Sequence, residues 1–369
     1  MEENTFTITF SSLRDPRIDR TKLHNLLDII LLTICAVLCG AESWVEVSEF
    51  GIARQDWLRT FLQLPNGIPS HDTIGRVFAM LDGREFERCF VEWVQTLSGL
   101  TSKTIAIDGK QIRGSKSENG ALTLVSAWAG ENKLVLAQER VHSKSNEITA
   151  IPKLLDLLDL KGKTVTIDAI GTQKEIAQQI IDKGGDYVLA VKKNQGKLWD
   201  EMKFIFETDR KQDFKDAPYD YAETVNKGHG RIETRRCWVV SDPEYMIGIS
   251  KDWVGLKSLV FIESERLIKG KKELSMRYFI SSMSGKASEI LSTQRSHWEI
   301  ENSLHWILDL AYNEDRCRVR KDNAAGNLSI IRKMTLNMLK QDTTAKVGIR
   351  AKRLKCGWDQ NYLLQILTQ

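Results

Sequence analysis

Apolar residues recur along this chain with two different periods, and the change falls near residue 100. Up to that point the spacing is helical. Residues 23–40 are apolar almost without a break, over a length suited to one helix closed by Gly40. A second helix is expected over residues 44–62, stopped by Leu64-Pro65-Asn66-Gly67. Ser70 stands where it can cap a third helix over residues 71–81, and a fourth covers residues 84–97. Short helices joined by turns occur in DNA-reading modules and equally in plain helical bundles, and the pattern leaves both open.

Beyond Ser102 short runs rich in β-branched residues take over. Residues 104–108 and 164–168 read as buried strands, as do residues 187–191. Two further strands, over residues 122–129 and 134–140, turn through residues 130–133. Helices are expected at residues 151–158, with Pro152 in the first turn, and at residues 174–183, ended by Gly184-Gly185. Strands alternating with helices predict an α/β sheet with some parallel pairing. Residues 196–284 carry more charge and alternate weakly, with strands expected at 231–241, 258–263 and 276–281. They read as an insertion or subdomain rather than a continuation of the sheet. A long helix over residues 288–312 and another over about 324–339 follow.

A length of 369 residues at 42% hydrophobic composition is enough for two or three domains. The net charge of +4 does not announce a polyanionic partner, but its distribution does more. Between Arg316 and Lys355 twelve lysines and arginines face two aspartates, a density suited to a phosphate backbone or to a solvated helix face. None of the six cysteines forms a C-x-x-C pair, which argues against a zinc ribbon, and the usage fits a reducing, cytoplasmic compartment; Cys35 and Cys39 read as core thiols. The apolar run at residues 26–39 is interrupted by Asp28 and is too short to span a membrane, and no signal peptide is expected.

Two of the buried strands end alike: Thr104-Ile-Ala-Ile-Asp108 and Thr164-Val-Thr-Ile-Asp168 each place a carboxylate at the tip of an apolar run. Strand tips in open α/β sheets form sites, although an aspartate there also caps the next turn. Paired carboxylates favour a hard divalent cation, and two such ions about 3.5–4 Å apart assist phosphodiester chemistry. That chemistry needs a further carboxylate. In His297-Trp-Glu-Ile-Glu-Asn-Ser-Leu-His305, Ile300, Leu304, Ile307 and Ala311 form a buried stripe, with His297, Glu301, His305 and Asp309 along its flank. Glu301 thus borders the core, although ordinary pairs on a surface helix would give the same spacing. The histidines do not follow H-E-x-x-H, which sets a zinc hydrolase aside. Lys110, Arg113, Lys192 and Lys193 follow core strands and are candidate phosphate contacts, with Asn194 and Gln195 placed to reach a base or sugar. His229 and Arg231 sit in a glycine-flanked loop, and Arg318 and Arg320 belong to the basic stretch; all four join the candidate DNA contacts. Trp298 and Trp306 flank Glu301, as core residues or as stacking platforms.

Nearly the whole chain resembles the H-repeat-associated, Rhs-linked insertion-sequence transposases of the DDE superfamily. The resemblance rests on Ile107-Asp-Gly-Lys-Gln-Ile-Arg-Gly114, Ser-Asn-Glu-Ile-Thr-Ala-Ile-Pro-Lys-Leu-Leu-Asp-Leu-Leu at residues 145–158, and Thr166-Ile-Asp-Ala-Ile-Gly-Thr-Gln173. Residues 184–195, Gly228-His-Gly-Arg-Ile-Glu-Thr-Arg235 and the helix at residues 297–305 complete it. The resemblance implies an RNase H-like mixed sheet flanked by helices, with Asp108 and Asp168 as the first two acidic ligands and Glu301 as the third. A mostly β insertion would fill the long gap before Glu301. Better-known relatives carry a Tyr, Arg, Glu, Lys pattern on the last helix; here Gln294, His297 and Leu308 replace three of the four, and His297 stands as the phosphate contact in place of the Arg.

The resulting expectation is an N-terminal helical domain (1–100), an RNase H-like core in two parts (101–195 and 287–345), a mostly β insertion (196–286) and a basic C-terminal tail (346–369). The expected activity is cleavage of DNA at element ends and strand transfer into target DNA, with two Mg²⁺ or Mn²⁺ ions at Asp108, Asp168 and Glu301. A nuclease of the same fold and a catalytically idle DNA-binding remnant are the alternatives. The expected partners are double-stranded DNA, as terminal inverted repeats and target, and a second copy of the chain on paired ends. No membrane is involved, and the expected place is the cytoplasm, at the nucleoid.

Overall fold

The computed structural model describes residues 5–97, 101–117, 120–141, 145–215, 218–228 and 230–368. The chain starts in helices: α1 (Thr5–Ser11), α2 (Leu26–Leu38), α3 (Trp44–Ala53), α4 (Gln55–Leu58), α5 (His71–Met80) and α6 (Gly83–Thr96). α2 is largely apolar and is buried along nearly its whole length, with α1 and α3 packed against it. α5 starts where expected, with the Ser70 hydroxyl accepting from the Thr73 N–H. The single helix expected over residues 44–62 is two, because Arg54 leaves helical geometry between α3 and α4 and donates to the Gly357 carbonyl.

Among the described residues there is one nine-stranded sheet, ordered β3-β2-β1-β4-β5-β9-β8-β7-β6. β1 (Thr104–Ser117), β2 (Gly120–Ala129) and β3 (Leu134–Val141) form an antiparallel meander. β4 (Thr164–Ile167) pairs parallel with β1, and β5 (Asp186–Val191) parallel with β4. The crossovers carry α7 (Glu147–Asp156) and α8 (Lys174–Asp182). This order, antiparallel on one side of β1 and parallel on the other, is the RNase H-like mixed α/β arrangement. α7 starts a turn earlier than expected, so Pro152 lies in its interior rather than its first turn. No helix among the described residues is long and apolar enough to cross a membrane.

Residues 196–284 supply α9 (Gly196–Lys211) and four antiparallel strands, β6 (Tyr219–Gly228), β7 (Arg231–Val240), β8 (Ser258–Ile268) and β9 (Lys271–Ser281). They do continue the sheet, contrary to the reading from charge: β9 pairs with β5, from Val188 opposite Ser281 to Val191 opposite Tyr278. β6 escapes sequence reading because it is an edge strand with mostly exposed or half-buried residues.

α10 (Ala287–Ile300) and α11 (Trp306–Ala311) form the expected long helix, but a π-turn over Glu301–His305 joins them. There the Trp306 N–H bonds to the Glu301 carbonyl. The extra residue rotates the rest of the helix, so Leu308 and Tyr312, rather than Ile307 and Ala311, take the deepest positions after Leu304.

α12 (Ala324–Gln341) runs between the N-terminal helices and the β2–β3 side of the sheet. Its polar side chains are structural ties. Asn327 donates to the carbonyls of Phe78 and Leu81, Asn337 exchanges hydrogen bonds with Val135, and the buried Lys333 donates to Ser126 and Gln138. The residues expected as a basic tail form α13 (Ile349–Trp358) and α14 (Gln360–Leu367), and Lys352 and Arg353 are buried beneath them. Of the basic stretch, then, Arg332, Lys333, Lys352 and Arg353 face the interior, not a polyanion. Cys35 is a core thiol as expected, while Cys39 is half-buried.

Candidate active site

The parallel pairing of β1 with β4 runs from Thr104 opposite Thr164 to Ile107 opposite Ile167, so Asp108 and Asp168 follow on adjacent strands. β4 stops there, but β1 does not: it continues through Asp108 to Ser117 with β2 as its partner. Asp108 is therefore not a strand tip. It stands where β1 parts from β4, which is why the apolar run ends at that residue. Asp108 accepts from the Gly109 N–H within the strand at 2.9 Å, and Asp168 holds its own turn by accepting from the Ile170 N–H at 3.0 Å.

Helix α10 and its π-turn pack over these strands. Ligand atoms of Asp108, Glu301 and His305 all lie within 4.8 Å of one another, and among the described residues no other group of three or more acidic, histidine or cysteine side chains does so. His305 Nδ1 is 3.5 Å from Asp108 Oδ2 and 3.8 Å from Glu301 Oε2. The π-turn aims both Glu301 and His305 at Asp108. Asp168 lies outside that group of three but close enough to raise the Asp108 pKa. Burial, then Glu301, and with smaller weight Asp168 and Glu147, push the Asp108 carboxyl up to about 7. The His305 imidazole, 3.8 Å away, holds Glu301 below its ordinary value against a smaller opposing effect of partial burial. Carboxylates crowded this closely cannot all stay ionised without a cation.

His305 and Glu147 were not among the expected site residues. His305 is buried and its Nε2 has no hydrogen-bond partner among the described residues. Its spacing of four from Glu301 is visible in sequence, whereas the π-turn that points it inward is not. Glu147 opens α7, and its carboxylate lies against Gly109, 2.2 Å from where a β-carbon would stand. Burial and Asp168 raise its pKa, and it has no hydrogen bond or ion pair among the described residues. The available signal was Gly109 itself, since glycine inside a strand marks a close approach.

The expected DNA contacts fall into two groups. Lys192, Lys193, Arg231 and Arg318 are exposed, as is Arg113, which pairs with Asp315 at 3.4 Å. Arg320 is exposed while donating to the Gly114 carbonyl at 3.0 Å. Other residues are engaged within the protein. Lys110 meets Asp309, with Glu314 at 3.5 Å and Asp315 at 3.9 Å. Asn194 donates to the Ala169 carbonyl at 2.6 Å and Gln195 to that of Thr172, so both brace the loop that carries Asp168. His297 Nδ1 lies 2.9 Å from the Thr166 hydroxyl; burial outweighs the nearby Asp168 and pulls its pKa down to about 4, leaving it neutral. His229 lies outside the described residues. Of the positions that depart from the better-known pattern, Gln294 and Leu308 are both buried. Trp298 and Trp306 are substantially exposed, at 44% and 60%.

The cluster of Asp108, Glu301 and His305, with Asp168 and Glu147 near enough to act on Asp108, is rich in oxygen donors and could hold a divalent metal ion. Residues 99–338 match a family described as "Transposase DDE domain", and residues 7–94 match one described as "DDE_Tnp_1-associated". The chain is 44% identical over 352 residues to "Putative transposase YncI" of Escherichia coli O157:H7, spanning 94% of this chain and 90% of that protein. It is 42% identical over 353 residues to "H repeat-associated putative transposase YhhI" of Escherichia coli (strain K12), spanning 94% and 93%. Among solved structures, the piggyBac transposase synaptic complex with hairpin DNA aligns over 99% of this chain and 76% of that one, at 11% identity and a TM-score of 0.44.

Proposed function

The chain belongs to the transposase DDE domain family, in its H-repeat-associated branch, and from that premise we propose that it cuts DNA at the ends of a mobile element and joins the freed ends to target DNA. Asp108, Asp168 and Glu301 are the acidic residues of the reaction. The observation that carries this reading is the convergence of Glu301 and His305, from the π-turn, with Asp108 within 4.8 Å, on the strand that pairs with the one leading to Asp168.

Asp108, Asp168 and Glu301 would hold a pair of divalent ions, whose chemistry would be to activate a water and stabilise charge at the leaving oxygen. The chain's own residues do the rest. β1 and β4 hold the two aspartates in register, and the π-turn presents Glu301 from the opposite side. His305, 3.8 Å from Glu301, favours its ionised form. The loop after β4, braced by Asn194 and Gln195, fixes Asp168. Exposed Arg113, Lys192, Lys193, Arg231 and Arg318 hold phosphates around the site. Within this reading residues 1–100 form a helical domain, residues 196–286 an insertion in the catalytic core, and two copies act on paired element ends in the cytoplasm.

The test is cleavage and strand transfer with supercoiled DNA carrying the element ends. Asp108→Asn is expected to abolish Mg²⁺-dependent nicking while end binding persists. Undiminished nicking by Asp108→Asn defeats the assignment. Nicking by wild type without joining of 3′ ends identifies a nuclease, and binding with no nicking at all identifies an idle remnant.

A further inference from the structure

The motif Gly228-His-Gly-Arg-Ile-Glu-Thr-Arg235 contributes only Arg231 to the reading above, yet its remaining charges share a face. Arg231, Glu233 and Arg235 occupy alternate positions of β7 and point the same way. They form one wall of a cavity of about 440 Å³ between β6–β9 and α10, a size within the about 300–1,000 Å³ of clefts that hold small organic groups. Asn226 and Arg277 come from β6 and β9, and Arg295 and Trp298 from α10. The Arg277 guanidinium lies over the Trp298 ring at 4.8 Å.

The wall's charge is unbalanced. Glu233 is consumed by Arg235 at 2.7 Å and Arg266 at 3.0 Å, and the carboxylate of Glu299 is turned toward Gly130. Arg231, Arg277 and Arg295 have no ion pair among the described residues. Two donors, Arg235 Nη1 and Asn226 Nδ2, are buried there with no acceptor among the described residues. Burial and mutual repulsion with neighbouring arginines lower the pKa values of Arg235 and Arg277. Buried donors without acceptors, ringed by unpaired guanidinium groups, suit a ligand rich in acceptor oxygens and negative charge.

The cavity adjoins the carboxylates. Asn302, which lines it, belongs to the same π-turn as Glu301, and Arg277 acts electrostatically on His297 beside Asp168. We propose that this cavity binds a phosphodiester group of the DNA strand that leads into the carboxylate site. The proposal rests on the reading of the chain as a DNA-cutting enzyme, and its test is independent of cutting.

The probe is a fluorescently labelled single strand of about 12 nucleotides, within the site sizes that such grooves cover. Anisotropy is followed against salt in EDTA, with every variant built on Asp108→Asn so that neither metal nor cleavage contributes. Arg277→Ala and Arg235→Ala are each expected to weaken binding about tenfold and to reduce the slope of log K against log salt by about 0.7 per lost phosphate contact. Arg277→Lys should keep most of the affinity, and Lys203→Ala on α9 should change nothing. Arg295→Ala, on an exposed position of α10, is expected to act in the same direction should a strand variant fail to fold. Binding by Arg277→Ala and Arg295→Ala within twofold of the parent, at the same slope, overturns the proposal, as does failure of the Asp108→Asn parent to bind the strand. Retained cleavage by Asp108→Asn alone would instead defeat the carboxylate assignment.

Discussion

The carboxylate of Glu147 fills the space that a side chain on Gly109 would need, 2.2 Å from the position of the missing β-carbon. This places Glu147 beside Asp108, from a helix that starts after the third strand.

Gly109→Ala is therefore expected to act through Glu147. The obstructing atoms are the far end of a flexible side chain, so the carboxylate can swing aside at a cost below about 1 kcal/mol, less than overpacking a rigid core. The fold should survive, with a melting temperature close to wild type. If Glu147 contributes to ion binding, Gly109→Ala and Glu147→Gln should weaken Mn²⁺ binding alike, by about tenfold, the low end for groups that support a metal site. Titration calorimetry of the three proteins decides it, and unaltered Mn²⁺ affinity in both variants removes Glu147 from the site. Gly114→Ala is the contrast. Its β-carbon would meet the Cys317 backbone carbonyl at 2.5 Å, which cannot swing aside, so a stability loss of about 1–3 kcal/mol is expected.

Asp108 makes the metal-free protein sensitive to pH. Its carboxyl is pushed up to about 7 by burial and by Glu301, whereas in the unfolded chain it ionises near its ordinary value of about 4. Between those values the folded state holds the extra proton, so this group's contribution makes stability fall as pH rises from about 4 to about 7. Asp108→Asn has no proton to lose. In EDTA it should melt several degrees above wild type at about pH 8, with the gap narrowing as the pH falls from about 7 to about 4 and absent below that. Adding Mg²⁺ at the higher pH should raise the wild-type melting temperature and leave Asp108→Asn nearly unmoved. Equal melting curves for the two proteins across this range would contradict the crowding of Asp108 and Glu301.

Lys110 follows Asp108 by two residues and reads in sequence as a phosphate contact, but its ammonium group is shared by Asp309, Glu314 and Asp315. Glu314 is 1% exposed and relies on Arg332 and Lys110 for compensation. Removing one partner of a buried pair leaves an unpaired charge, at about 3–5 kcal/mol. Lys110→Met is thus expected to lower the unfolding free energy by about 3 kcal/mol, at the low end because Lys110 has several partners. Lys110→Met with Asp309→Asn should recover part of it. Urea denaturation of the single and double variants measures both effects; a stable Lys110→Met protein with weakened DNA binding would return Lys110 to the DNA contacts.

What could be read from sequence follows from how local each feature is. The two aspartates end matched apolar runs, and those runs pair side by side because strand pairing in a buried sheet is set by the apolar pattern itself. The apolar stripe puts Glu301 at the margin of the core, but only the family resemblance marks it out from the other acidic residues of that helix, and the stripe itself presumes an uninterrupted helix. A π-turn leaves no periodic trace, so the inward aim of His305 and the depth of Leu308 and Tyr312 could not be foreseen. Charge was legible in amount and not in direction. Arg332, Lys333 and Lys352 are buried because Glu314, Glu87 and Asp342 meet or offset them, partners that only the folded chain brings near.

Arg353 gives the clearest measurement of that difference. It sits in the most basic part of the chain, yet its side chain is buried beneath α13 and its donors serve backbone carbonyls. Nε and Nη2 reach the Val37 carbonyl at 3.0 and 2.8 Å, Nη1 reaches that of Ala311, and the guanidinium lies 4.2 Å from the Tyr312 ring centre. One side chain thereby satisfies the ends of α2 and α11, where carbonyls have no partner within the helix. Arg353→Met would leave the Ala311 carbonyl unpaired and the Val37 carbonyl with only backbone N–H donors such as that of Gly40, so a loss of about 1–3 kcal/mol is expected. Arg353→Lys should restore less than half of it, since a point charge cannot reproduce the planar fork. The DNA affinity of whatever remains folded should be unchanged, along with its salt dependence. Lys192→Ala should do the opposite: unaltered stability, weaker DNA binding and a salt slope shallower by about 1. Denaturation and anisotropy on the same two proteins separate a cation that holds the fold from one that faces DNA. A loss of DNA affinity in stable Arg353→Met would place Arg353 in the second class.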